Sequence, residues 1–131
     1  MKKCMAIAVV SLVLVPWIAL AGSPHFISCA IVSTTPTSVT VAAKEAGLGD
    51  EAQIVVELTA LAECINPGGH HPRADNKDEL AVAATVPVQN GKSSYVLMVT
   101  ADFQPECSPP MSLVFSQVLV TDLTHNLTCE P

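Results

Sequence analysis

From Ile54 to Cys64 the chain alternates without a slip. Ile54, Val56, Leu58, Ala60, Ala62 and Cys64 fall on one side, and Val55, Glu57, Thr59, Leu61 and Glu63 on the other. Every second side chain shares a face only when the backbone is extended. Wound into a helix, the same residues would scatter their apolar groups around the whole circumference. This segment is therefore a strand with one face in a core and the other partly wet.

The remaining sequence has the same period. "HFISCAIVS" from His25 and "TSVTVAAK" from Thr37 read as two further strands, the second with Val39, Val41 and Ala43 on one face. "EAGLGD", Glu45 to Asp50, is a glycine-punctuated turn. "LAVAATVPVQ" and "KSSYVLMVTADF" flank Asn90-Gly91, a strong hairpin signal. "SLVFSQVLVTD" reads as a long buried strand, and a short one follows around Leu127. About seven strands in roughly 105 residues predict an all-β antiparallel sandwich, immunoglobulin-like in outline. A small closed barrel is the alternative.

The first 21 residues read as a signal peptide. Lys2 and Lys3 precede an apolar run from Met5 to Leu20, and Ala19-Leu20-Ala21 is a small-x-small cleavage motif. The run is short for a membrane span of about 20 residues, so no membrane insertion is expected after cleavage. A lipoprotein anchor would need a cysteine just after the run; Cys4 precedes it and Cys29 lies well beyond. Residues 22–131 are then a single domain, secreted or periplasmic. Losing Lys2 and Lys3 takes the net charge from −6 to −8. That balance argues against nucleic acid and against an anionic membrane surface.

The mature chain keeps Cys29, Cys64, Cys107 and Cys129. Four cysteines in an exported domain predict two disulfides, with the pairing open. We expect Cys64–Cys107, flanking two long loops, and Cys29–Cys129, tying the chain's two ends.

Between the alternating segments lies "CINPGGHHPRADNK", Cys64 to Lys77, and later "FQPECSPPM". Gly68 and Gly69 permit positive φ, while Pro67 and Pro72 stiffen the path. Loops at the ends of sandwiches are where binding is built. Residues 65–79 and 104–110 are accordingly the expected recognition surface, with Asn66, Gly68, Gly69, His70, His71 and Arg73 as candidate contacts for a protein or cell-surface partner.

Several short motifs carry a resemblance. "HFI" opens the mature chain and "KEAGLG" follows the second strand. A C-x-N-x-G-G-x-x-P loop spans Cys64 to Pro72, "CSPPM" lies at Cys107 to Met111, and "VTDLT" at Val120 to Thr124. Together they resemble a group of small, uncharacterised exported proteins, mostly bacterial. The resemblance implies an exported β domain and no particular activity. It also implies that the position of His70 is often Asn, which weakens a metal reading of the histidine pair.

The chemical candidates are few. His70 and His71 with Asp75 form a weak metal set for zinc, copper or calcium; neighbouring residues in extended chain point apart, and the spacing fits no ligand signature. Cleavage after Gly22 would expose Ser23-Pro24-His25, where a terminal-amine copper site is blocked because Pro24 has no amide hydrogen to lose. "DNKDE", Asp75 to Glu79, is acidic but lacks the spacing of an EF-hand loop. No nucleophile elbow is present, and disulfide formation would consume every thiol of the mature chain, so no enzyme is expected. Trp17 leaves with the signal, and Phe103 and Phe115 fall in strand patterns, which counts against sugar stacking. Asn126-Leu127-Thr128 is a glycosylation sequon, relevant only in a eukaryotic secretory path.

Overall fold

The structure, a computed structural model, describes residues 22–66, 77–102, 107 and 110–131. The described residues form seven strands: β1 (His25–Thr34), β2 (Ser38–Ala46), β3 (Gln53–Ile65), β4 (Lys77–Pro87), β5 (Ser93–Thr100), β6 (Ser112–Asp122) and β7 (Leu127–Cys129). They form two antiparallel sheets, one in the order β1-β2-β5 and the other β4-β3-β6-β7. This is an immunoglobulin-like sandwich in which the fourth strand joins the sheet of the third. The length of β3 makes that possible: it pairs with β4 from Gln53↔Pro87 to Glu63↔Lys77, and with β6 from Val56↔Asp122 to Ile65↔Ser112.

The alternation read from the sequence is the alternation of burial. On β3 the six residues Ile54 to Cys64 of the apolar face are all buried. Val39, Val41 and Ala43 of β2 and Tyr95, Leu97 and Val99 of β5 close over them from the other sheet, with Val86 and Val120 completing the core. Fully burying one such aliphatic side chain stabilises by about 1.5–3 kcal/mol. Tyr95 is the one aromatic among these buried core residues, while Phe26 and Phe115 pack against the core from its margin.

Two readings of the sequence require correction. The Asn90-Gly91 turn is tight, with φ of 52° and 72°, and Gln89 and Lys92 exchange both backbone hydrogen bonds at 2.8 and 3.0 Å. No hairpin ladder follows, because β4 and β5 part into different sheets. Pro87 ends β4 without an N–H to donate, and its carbonyl accepts instead from the Ser93 hydroxyl at 2.8 Å. The second correction concerns β6, which is not one uninterrupted alternation. A bulge opposite Ala60 holds Gln117 at φ 50° and adds a residue. Phe115 faces the core before the bulge, and Val118, Val120 and Asp122 after it. Without the extra residue the last three would point to solvent.

Antiparallel pairing fixes what lies at each end. The β1–β2 turn and the stems of the β3–β4 and β5–β6 connections share one end. The β2–β3, β4–β5 and β6–β7 turns share the other. There Leu48 N donates to Gly91 O at 3.0 Å, stitching two turns together. Gly47 sits beside them at φ +75°, where a Cβ would come within 2.2 Å of the Ser23 carbonyl oxygen.

Candidate functional site

At the loop end β3 carries Cys64 inward and stops at Ile65, leaving Asn66 exposed. Gly68, Gly69, His70, His71, Arg73 and Asp75 lie outside the described residues, as does Phe103. The acidic stretch divides: Lys77, Asp78 and Glu79 are not loop residues but the first rungs of β4, opposite Glu63, Ala62 and Leu61. Lys77 Nζ lies 3.5 Å from Glu63 Oε1 across the ladder, a pair exposed enough to contribute at most about 1 kcal/mol.

The cysteines fall into two neighbouring couples. Cys64 lies beside Cys107, and Cys29 on β1 beside Cys129 on β7, each couple within thiol hydrogen-bonding reach. The sulfurs are unbonded in the structure. Burial, and then the neighbouring thiol, push Cys64 and Cys29 up to about 12. Neither is a thiolate near neutrality, so neither is a nucleophile as a free thiol.

The opposite end holds a polar cluster that the sequence reading did not single out. Glu45 and Asp122 are both fully buried. Tyr95 donates its hydroxyl proton to Glu45 Oε1. Asp122 Oδ1 accepts from the backbone N–H of Thr124 at 2.8 Å and of His125 at 3.2 Å. Asp122 Oδ2 lies 2.6 Å from His125 Nδ1, and His125 Nε2 lies 2.9 Å from Glu51 Oε2. The hydrogen bond that His125 donates to Asp122 is the main cause that raises the His125 pKa, while the approach of Nε2 to Glu51 is an ion-pair contact and not a hydrogen bond.

Glu45 is the opposite case. No donor reaches its Oε2, and the Asp122 carboxylate lies against it. Two carboxylates side by side cannot both keep their charge at low cost, whereas a proton between them makes a strong hydrogen bond. Burial first, then Asp122, hold the Glu45 pKa up, from 4.5 to about 7, against the lowering effect of Tyr95. Burial likewise raises the Tyr95 hydroxyl, keeping it a neutral donor. The cluster thus joins a Glu45 that holds its proton up to about pH 7 and a neutral Tyr95 to the Asp122–His125–Glu51 chain.

Its signals were present but faint. The Val39-Val41-Ala43 alternation, continued one step, puts Glu45 on the core face. The bulge at Gln117 conceals the same for Asp122. Asn126, the sequon residue, stands exposed at the turn with φ 57°, a conformation that Asn tolerates.

Apart from Glu45 Oε2 and Glu51 Oε2, the buried polar atoms of the cluster occupy one another. Each ring nitrogen of His125 faces a carboxylate, and Asp122 is filled by backbone donors. Among the described residues no group of three or more His, Cys, Asp or Glu is placed to hold a metal ion. A depression over the outer side of β3 and β4, lined by Thr59, Leu61, Glu79, Ala81 and Gln117, offers one carboxylate and no histidine or aromatic ring. Comparison with protein-family models, with characterised proteins and with solved structures gave no match to this chain.

Proposed function

We propose that this protein is an exported, non-catalytic interaction domain, secreted or periplasmic, that binds a protein or cell-surface partner through the loop end of its sandwich. The observation that supports this reading is the meeting of Cys64 and Cys107 at that end. A disulfide there would root both long connections, residues 66–76 and 101–111, at a single point and limit the entropy lost when they bind. The polar residues at the other end are buried or engaged with one another, which suits a structural role. The resemblance to small exported proteins agrees with the reading and adds no activity.

The test is to replace residues 66–73 with a Gly/Ser linker and compare retention of extracellular and cell-surface proteins on immobilised wild-type and variant domains. We expect the variant to melt normally and lose what the wild type retains specifically. Retention that survives the replacement overturns the assignment of this surface. Zinc, copper and calcium are titrated in parallel against melting temperature. A shift abolished by His70→Ala and His71→Ala would transfer the loop's role to metal binding through His70, His71 and Asp75, since a real site stabilises the fold by mass action.

A further inference from the structure

The sandwich has four sheet edges, and three of them carry devices that discourage further pairing. β4 begins with Lys77, Asp78 and Glu79 and ends at Pro87. β1 is broken by register shifts between Phe26 and Ser28 and between Ile31 and Ser33. β7 is only 3 residues long. Charges, proline, bulges and shortness are the usual means of blunting an edge.

β5 has none of them. Its 8 residues, SSYVLMVT, include no charge and no proline. Its register with β2 runs unbroken from Ser38↔Thr100 to Glu45↔Ser93. Among the described residues, Ser94 to Thr100 make no backbone hydrogen bond except to β2. Every second N–H and C=O therefore faces away from the sheet. Beside that open edge, Val96 is 63 % and Met98 55 % exposed. Val96 continues a row through Ala42 to Ala30 across the outer face of the sheet.

We propose that β5 is a self-association edge, pairing antiparallel with β5 of a second copy into one six-stranded sheet. Charge selects this occupant. A two-fold axis sets each strand against itself, so charged residues there would face like charges. The chain is acidic overall, at −6, yet β5 brings no charge to such an axis. A register centred on Leu97 places Val96 of one copy beside Met98 of the other, covering the two exposed side chains in each copy. This surface is separate from the loop end, and the inference stands or falls independently of the proposed function.

The experiment is sedimentation equilibrium of the protein recovered after export, from about 1 to 100 µM. We expect a reversible monomer–dimer equilibrium. Val96→Lys with Met98→Lys should weaken it at least tenfold, although added lysines reduce the overall acidic repulsion. Both positions are exposed, so the melting temperature at a concentration where both proteins are monomeric should be unchanged. Val32→Lys, at a 59 % exposed position on β1, should leave association intact. A protein monomeric at 100 µM overturns the proposal. So does a dimer indifferent to the β5 lysines, or one lost equally through Val32→Lys.

Discussion

Replacing Glu45 with Gln tests whether the buried carboxyl is neutral in the folded protein. Gln presents an amide oxygen to the Tyr95 hydroxyl and an N–H donor toward Asp122, which is what a protonated Glu45 presents. The unfolded chain releases the Glu45 proton near 4.5 and the folded one near 7. Between those values the folded state binds more protons, so this contribution is complete below about pH 4.5 and is lost as pH rises through 7. One pKa unit corresponds to about 1.36 kcal/mol, so the whole contribution is about 3 kcal/mol. The Gln side chain has nothing to lose. Urea unfolding of both proteins at intervals from pH 4.5 to 8.5 should give near-equal stability at the acid end. At the alkaline end Glu45→Gln should be the more stable by about 3 kcal/mol, roughly 10 °C in melting temperature. Taking the difference between the two proteins cancels the other carboxylates. His125 also loses stabilisation as pH rises through its raised pKa; Glu45 is the last-ranked of the causes that raise it, so most of that loss occurs in both. A difference that stays flat with pH, or a variant less stable at pH 8.5, would refute a neutral Glu45.

Asp122→Ala strips the acceptor from two backbone N–H groups and from His125, and leaves a buried charge network broken; a loss of about 3–5 kcal/mol is expected by urea unfolding. Asp122→Asn, which keeps one acceptor oxygen, should lose clearly less. Asn90→Ala forces a β-carbon into the left-handed region at φ 52° and should lower stability by about 1 kcal/mol in the same assay.

Much of the sandwich could be read from the sequence because its strands are half-buried. Where one face is core and the other wet, as on β3, composition repeats every second residue and the register is written out. The failures occur where something other than burial decides. The turn at Asn90-Gly91 has the chemistry of a hairpin, but Pro87 and the divergence of β4 from β5 are tertiary facts that two turn residues do not encode. The bulge at Gln117 adds one residue and reverses which side of β6 is core, and no glycine marks it. Glu45 and Asp122 escaped for a related reason. A carboxylate reads as solvent-facing until its partners are known: Tyr95, which donates to Glu45, is 50 residues further on, and Glu45 meets Asp122 only because the two sheets pack. The loop at His70 was conspicuous for its composition. Composition alone assigns it no ligand.

The proposal that this domain is exported and stapled stands on its sulfurs. By loop-closure entropy a Cys64–Cys107 bridge would stabilise by about 4 kcal/mol and a Cys29–Cys129 bridge by about 4.7 kcal/mol. The decisive measurement is a mass-spectrometric peptide map of the exported protein, alkylated before digestion and kept free of reductant. No Lys or Arg lies between Lys92 and Pro131, so trypsin must be combined with cleavage at Asp122 to separate Cys107 from Cys129. We expect two cross-linked peptides, Cys64 with Cys107 and Cys29 with Cys129, and no alkylated thiol in the folded protein. Four alkylated cysteines, or either crossed pairing, would contradict a domain closed by these two bridges.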